Sequence, residues 1–82
     1  MRLPRNVSGD ALVSLLARYG YDRLRQNGSH IRLVSTASGA VHHVTVPRHN
    51  PVRVGTLGDI VTDVAAHLGR DRDEFSEELF GR

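Results

Sequence analysis

The stretch that decides the fold runs from Tyr21 to Val34 and reads YDRLRQNGSHIRLV. Two segments that mix polar and aliphatic residues flank the dipeptide Asn27-Gly28. Asn-Gly between such segments is the strongest short-range signal for a β-hairpin, because a type I′ turn needs a positive φ at both central residues. The stretch therefore predicts two antiparallel strands joined by Asn27 and Gly28.

The register of this hairpin determines which side chains share a face of the sheet. With Asn27 and Gly28 as the two loop residues, we expect Arg25 to lie opposite His30. The same register pairs Leu24 with Ile31 and Arg23 with Arg32. Because side chains alternate between faces, one face then points to the core. The predicted core residues are Leu24, Ile31 and Leu33, and the predicted open face carries Arg23, Arg25, His30 and Arg32.

On either side of the hairpin, the pattern of apolar residues predicts one helix before it, and a third strand and a second helix after it. The first helix covers about residues 9–19, with Ser8 as its N-cap. The third strand covers about residues 41–46, with Val44 and Val46 inward and His43 and Thr45 outward. The second helix covers about residues 57–68, with Thr56 as its N-cap and Gly69 as its stop.

The last twelve residues are acidic and predict a short third helix. Asp71 followed by Glu74 resembles a capping box, and Phe75 and Leu79 have the i, i+4 spacing of one helical face. We therefore expect residues 71–82 to be a helical extension of the domain formed by residues 1–70. The predicted class is α+β, in the order α-β-β-β-α, with a three-stranded antiparallel sheet, two helices on one face and a short C-terminal helix. The other face remains open to a ligand.

Composition excludes several classes of protein. Eighty-two residues with 39% hydrophobic content fit one small globular domain, and the absence of cysteine excludes a disulfide framework and a cysteine-ligated zinc site. No apolar run approaches the roughly 20 residues of a membrane span, and the first residues lack the apolar core of a signal peptide. We therefore expect a soluble cytoplasmic protein that does not bind membranes.

The charge is unevenly distributed along the chain. Residues 1–70 contain nine arginines and four acidic residues, a net charge of +5, whereas residues 71–82 contain two arginines and five acidic residues, a net charge of −3. Every basic residue other than histidine is an arginine, whose planar donor fork suits phosphate. The body of the protein is therefore suited to an anionic partner.

The predicted open face has the chemistry of a nucleic-acid site. Like charges directly opposite on a sheet, such as Arg23 and Arg32, are destabilising unless a ligand supplies the counter-charge. Phosphates supply it, so we expect these two arginines and Arg25 to contact a nucleic-acid backbone. The neighbouring positive charges disfavour the imidazolium form of His30, and a neutral imidazole can remove the proton of a ribose 2′-hydroxyl. That hydroxyl would then attack the adjacent phosphate without a metal ion.

Several short motifs in this order resemble the HicA family of mRNA interferase toxins. They are the helix from Gly9 to Leu16, Gly20-Tyr21, Arg25-Gln26-Asn27-Gly28-Ser29-His30, Val44-Thr45-Val46-Pro47-Arg48-His49 and Gly55-Thr56-Leu57. The likeness covers about residues 8–68. It implies a double-stranded-RNA-binding-domain-like fold, endonucleolytic cleavage of mRNA as part of a toxin–antitoxin system with a role in stress response, and inhibition by a HicB-type antitoxin.

The resemblance also implies roles for individual residues. The histidine after Gly28-Ser29 is catalytic in this family, which assigns that role to His30, and the motif arginine before it corresponds to Arg25. Arg48 lies in the family's basic segment at the end of a strand, which makes it a further candidate RNA contact. His43 is a candidate acid/base partner of His30, because any register that keeps Val44 inward places His43 on the same face.

Alternative interpretations remain open at this point. The same face would also suit a noncatalytic RNA-binding module, or a unit that docks an acidic protein. We expect no cofactor and no metal, since adjacent His42 and His43 would point to opposite faces and no carboxylate lies near them in the sequence. Homo-oligomerisation is not decided by these residues.

Overall fold

The computed structural model describes residues 2–37 and 39–81, and its secondary structure confirms the predicted fold class. Three helices and three strands follow one another in the chain, and the antiparallel sheet has the strand order β1-β2-β3. The elements are α1 (Gly9–Ala17), β1 (Asp22–Asn27), β2 (His30–Ser35), β3 (His42–Pro47), α2 (Val54–Leu68) and α3 (Arg72–Leu79). Among the described helices, none is long and apolar enough to span a membrane.

The core lies between the helices and one face of β2 and β3. The inward residues of the two strands alternate with exposed or half-buried ones, as the sequence predicted for β3. Arg32 pairs with Thr45 on the opposite face. That opposite face is open because α1 and α2 pack on the other side of the sheet. The buried hydrophobic residues of β2, β3, α1 and α2 are Ile31, Leu33, Val44, Val46, Leu12, Val13, Leu16, Leu57, Ile60, Val61, Val64 and Ala65.

The helix ends follow the sequence signals in part. The Ser8 side chain accepts a hydrogen bond from the backbone N–H of Ala11 at 3.0 Å, and Gly69 ends α2 in the left-handed conformation, as predicted. The predicted start of α2 was wrong, because the helix begins at Val54 with Arg53 at the N-cap. The buried Val52 is fixed by a backbone hydrogen bond to Val7, and the helical hydrogen bonds begin directly after it.

The predicted hairpin loop was wrong by one residue, so the cross-strand partners differ from the predicted ones by two residues. Asn27 pairs with His30, so the loop consists of Gly28 and Ser29. Gly28 has φ +63°, whereas no described residue other than glycine has a positive φ. A turn of this kind needs only one positive φ, at its first loop residue, and glycine supplies it without the steric cost that Asn27 would carry. Arg25 therefore lies opposite Arg32 and not opposite His30.

A β-bulge in β1 changes the position of Leu24. The bulge lies between Arg23 and Arg25, so Leu24 has no partner in β2 and is 51% exposed. The prediction that Leu24 belongs to the core was therefore wrong. All six residues of β1 are exposed, so burial hardly constrains the register of this edge strand.

The third helix forms as predicted from Phe75 and Leu79, and both of these side chains are buried in the core. The Phe75 ring contacts the Tyr19 ring edge to face, with 4.9 Å between the centroids. The guanidinium of Arg70 lies over both rings and donates a hydrogen bond to Glu78, which also accepts one from the Tyr19 hydroxyl. The hydrogen bond from Arg70, followed by that from Tyr19, lowers the pKa of the Glu78 carboxyl.

Candidate nucleic-acid interface and active site

An open depression of about 160 Å³ lies on the exposed face of the sheet at the hairpin end. All three strands contribute to it: β1 and β2 carry the charged and titratable side chains, and β3 contributes a hydroxyl. The lining residues are Arg25, Asn27, His30, Arg32 and Thr45. Three of the predicted site residues, His30, Arg25 and Arg32, therefore lie together.

Two arginines face each other across β1 and β2 in this depression. Arg25 and Arg32 are directly paired in the register, and Arg32 donates a hydrogen bond from Nη1 to the Thr45 hydroxyl at 2.9 Å. No acidic side chain within residues 2–37 and 39–81 forms an ion pair with either guanidinium. Opposed like charges destabilise a sheet, and a bound anion removes that repulsion. The predicted pairing of Arg23 with Arg32 was wrong, and Arg25 is the arginine that lies opposite Arg32.

His30 occupies the next position along the same face. It pairs with Asn27 on β1 and with Pro47 on β3, and its side chain is exposed. Residues two apart on a strand are separated by about 6.6 Å, so the imidazole lies one step along the strand from Arg32. A substrate phosphate bound by the arginines would therefore lie within reach of the imidazole.

His43 is on the predicted face but far from His30. It pairs with Val34, whereas Pro47 pairs with His30, which places the two histidines four residues apart along the strand direction. This corresponds to a separation of about 13 Å along the sheet. An acid and a base that act on the same phosphate must both lie within hydrogen-bond distance of it. His43 is therefore too distant to be the partner of His30.

The other two arginines that the sequence assigned to RNA lie outside the depression. Arg23 pairs with the buried Leu33 and donates a hydrogen bond to the Gln26 side chain at 3.0 Å, so its expected place beside His30 was wrong. The bulge is the cause, because it reverses the face of the residues that precede it. Arg48 forms an ion pair with Asp10 of α1, with 3.1 Å between Nε and Oδ2.

A second cluster of polar side chains lies on the helix side of the sheet, at the other end of β3. The Tyr21 hydroxyl is 2.8 Å from His42 Nδ1, and His42 Nε2 is 3.2 Å from the Asp63 carboxylate. The His67 ring stacks on the His42 ring, with 4.4 Å between the centroids. The carboxylate that the sequence did not place near His42 thus comes from α2, where Asp63 and His67 have the i, i+4 spacing of one helical face. Within the described ranges, no group of three or more metal-ligating side chains could hold a metal ion.

Burial of the Tyr21 hydroxyl is expected to make the protein less stable at alkaline pH. Burial, followed by the Asp63 carboxylate, raises the pKa of Tyr21 to about 12. An unfolded tyrosine ionises near pH 10, so between pH 10 and 12 the unfolded state binds fewer protons than the folded state, and stability falls as pH rises. We expect the ionisation of Tyr21 to lower the free energy of unfolding by roughly 2–3 kcal/mol between pH 10 and 12.

Urea unfolding of the wild type and of Tyr21→Phe at several pH values between 8 and 12 measures this contribution. The variant loses the hydrogen bond to His42, so it should be less stable at pH 8 by about 1 kcal/mol, but its stability should fall less between pH 10 and 12. Tyr19, whose pKa is also raised by burial and by Glu78, is present in both proteins, so the difference isolates Tyr21. Equal losses in both proteins would contradict the assignment.

A larger depression of about 660 Å³ lies between the N-terminal segment and α3. Its walls combine Arg2, Leu3 and Pro4 with Asp73, Glu77 and Phe80. It contains no histidine, and its carboxylates oppose a phosphate ligand. We therefore place the candidate active site at the smaller depression on the sheet.

Comparison with models of known protein families identifies a family that this chain matches. A family model described as HicA toxin of bacterial toxin-antitoxin matches residues 9–66, which include α1, the whole sheet and most of α2. No curated protein and no solved structure shows significant similarity to the chain. The matched region contains every residue that lines the depression around His30, whereas α3 lies beyond it.

Proposed function

Because the chain belongs to the HicA toxin family of bacterial toxin–antitoxin systems, we propose that it is an endoribonuclease that cleaves mRNA in the cytoplasm. The observation that carries this proposal is the grouping of His30 with the opposed Arg25 and Arg32 on the open face of the sheet. The face provides a base and two phosphate-binding groups side by side. The family implies an antitoxin partner, and we propose a HicB-type protein in that role.

The proposed reaction uses the ribose as the internal nucleophile. Neutral His30 removes the proton of a 2′-hydroxyl, and the 2′-oxygen attacks the adjacent phosphorus while the bond to the 5′-oxygen breaks. The two guanidinium groups stabilise the negative charge that develops on the phosphoryl oxygens. The leaving 5′-oxygen takes its proton from water, since His43 is too far away. The products are a 2′,3′-cyclic phosphate and a 5′-hydroxyl.

Arg48 and Arg23 have more peripheral roles in this proposal. Arg48 follows β3 near the hairpin, and its backbone N–H donates a hydrogen bond to the Ser29 carbonyl. Either arginine can bind a phosphate remote from the cleaved bond. For Arg48, this contact would replace its ion pair with Asp10. Their expected contribution is to affinity and to its salt dependence, not to the chemical step.

The experiment that tests the proposal uses a labelled RNA oligonucleotide in the presence of EDTA. We expect cleavage to products with 2′,3′-cyclic phosphate and 5′-hydroxyl ends, and no cleavage at a position that carries a single 2′-deoxyribose. The matched control is the same oligonucleotide without the substitution. RNA binding without cleavage would instead support a noncatalytic RNA-binding module, and cleavage that requires a divalent cation would exclude the metal-independent route.

A further inference from the structure

Asn27 does not have the role in the turn that the Asn-Gly motif predicts for it. The Asn-Gly dipeptide predicted a turn in which Asn27 adopts a positive φ, but Asn27 is the last residue of β1 and its φ is not positive. Gly28 alone supplies the left-handed residue of the loop. Turn geometry therefore does not require asparagine at this position.

The position of Asn27 instead places its carboxamide at the candidate active site. Asn27 is the direct cross-strand partner of His30 and lines the same depression. Cβ atoms of directly opposed residues are about 4.5–5.5 Å apart, so the two side chains project from the sheet next to each other. Within residues 2–37 and 39–81, the Asn27 side chain forms no hydrogen bond. Its two N–H donors and its oxygen are therefore available to a ligand.

We propose that Asn27 contacts the substrate, and that its Nδ2 group donates a hydrogen bond to a non-bridging oxygen of the phosphate attacked in the His30-assisted reaction. This inference rests on the proposed ribonuclease function. Arg25 and Arg32 lie on one side of the imidazole along the strand direction, and Asn27 lies across from it on the neighbouring strand. A phosphate bound among these groups receives donors from two directions.

A neutral donor is chemically suited to this position. A third guanidinium beside His30 would repel the positive charge that the imidazole acquires when it accepts a proton. The carboxamide stabilises charge on the phosphoryl oxygen without adding a full positive charge next to the base. Asn27 thus complements the arginines without opposing the proton transfer.

The test compares three variants in single-turnover cleavage across a range of pH. Asn27→Ala removes the donor, and we expect the cleavage rate to fall by about 10- to 100-fold, less than for a water-excluded oxyanion donor because the site is open to solvent. Asn27→Asp keeps the shape but also removes the donor, and we expect at least the same loss. Its carboxylate favours the protonated imidazole, so the acid limb of its pH profile should move to higher pH.

Gln26→Ala is the matched control. Gln26 carries the same functional group one residue earlier, faces the other side of the sheet, and holds the hairpin by hydrogen bonds with Arg23 and the Gly28 carbonyl. We expect its cleavage rate to remain within about twofold of wild type, because it does not face the site.

Three results would overturn the inference. The first is an Asn27→Ala protein that cleaves RNA as fast as wild type. The second is a Gln26→Ala protein that loses as much activity as Asn27→Ala, because the loss in both would then come from disruption of the hairpin. Retained activity in Asn27→Asp would show that the side chain acts as an acceptor that orients the imidazole. Failure of the proposed function is distinguishable, because wild type itself would then not cleave RNA, and the inference would fall with it.

Discussion

Replacement of His30 by alanine is expected to reduce RNA cleavage by about 10²- to 10⁴-fold, the usual contribution of a general base, and to leave RNA binding nearly unchanged. Arg25 and Arg32 remain in place in this variant, so the electrostatic attraction for the phosphate backbone persists. The loss should therefore appear in the rate of a single turnover and not in the dissociation constant. Both are measurable with one labelled oligonucleotide at a fixed salt concentration.

His43→Ala is the matched control for that experiment. It removes a second imidazole from the same face of the sheet, at a position about 13 Å from His30 by the strand rise. We expect its cleavage rate to stay close to that of wild type. Equal losses in the two variants, or a His30→Ala protein that still cleaves at the wild-type rate, would contradict the assignment of the base.

Replacement of Phe75 by alanine is expected to destabilise the fold by about 3–5 kcal/mol, the usual cost of removing a buried aromatic ring. Phe75 is fully buried, and its ring contacts Tyr19 of the segment after α1 and the guanidinium of Arg70. A domain of this size has a total stability of only about 5–15 kcal/mol. The melting temperature should therefore fall by tens of degrees, because each kcal/mol of destabilisation lowers it by roughly 4–8 °C in a domain of this size.

Urea unfolding followed by circular dichroism measures this effect, with Arg72→Ala as control. Arg72 lies in the same helix but is exposed, and its ion pair with Asp73 at 3.7 Å contributes little. We propose that residues 71–82 belong to the same folding unit as residues 1–70, and a single cooperative transition is expected. A loss below 1 kcal/mol in Phe75→Ala, or a separate transition for α3, would count against that proposal.

The order and type of the elements could be predicted from local sequence signals. Ser8, Gly69 and Asp71 act through hydrogen bonds and backbone preferences that involve only their chain neighbours. Val44 and Val46 alternate with polar residues because one face of β3 is buried, and this pattern is visible without a structure. His30 and Arg32 are two residues apart on one strand, so their shared face followed from the sequence as well.

The partners of these residues were decided only by the tertiary structure. The Asn-Gly dipeptide is compatible with two loops that differ by one residue, and β1 is an exposed edge strand with almost no buried side chain to select between them. Moving the loop by one residue shifts every cross-strand partner by two residues and keeps each side chain on its face, whereas the bulge at Leu24 reverses the face of the residues before it. This combination placed Arg25 opposite Arg32 and removed Arg23 from the site.

The hairpin from which the fold was predicted has some features that its local sequence determines and others that depend on tertiary contacts. Its sequence determined that two strands meet at Gly28 and that His30 lies on the open face, because turn conformation and side-chain alternation are local properties of the chain. The tertiary structure decided that Asn27, and not Arg25, is the partner of His30, and that His42 meets Asp63 and His67. Those contacts depend on strand register and on helix packing, which join residues far apart in the sequence.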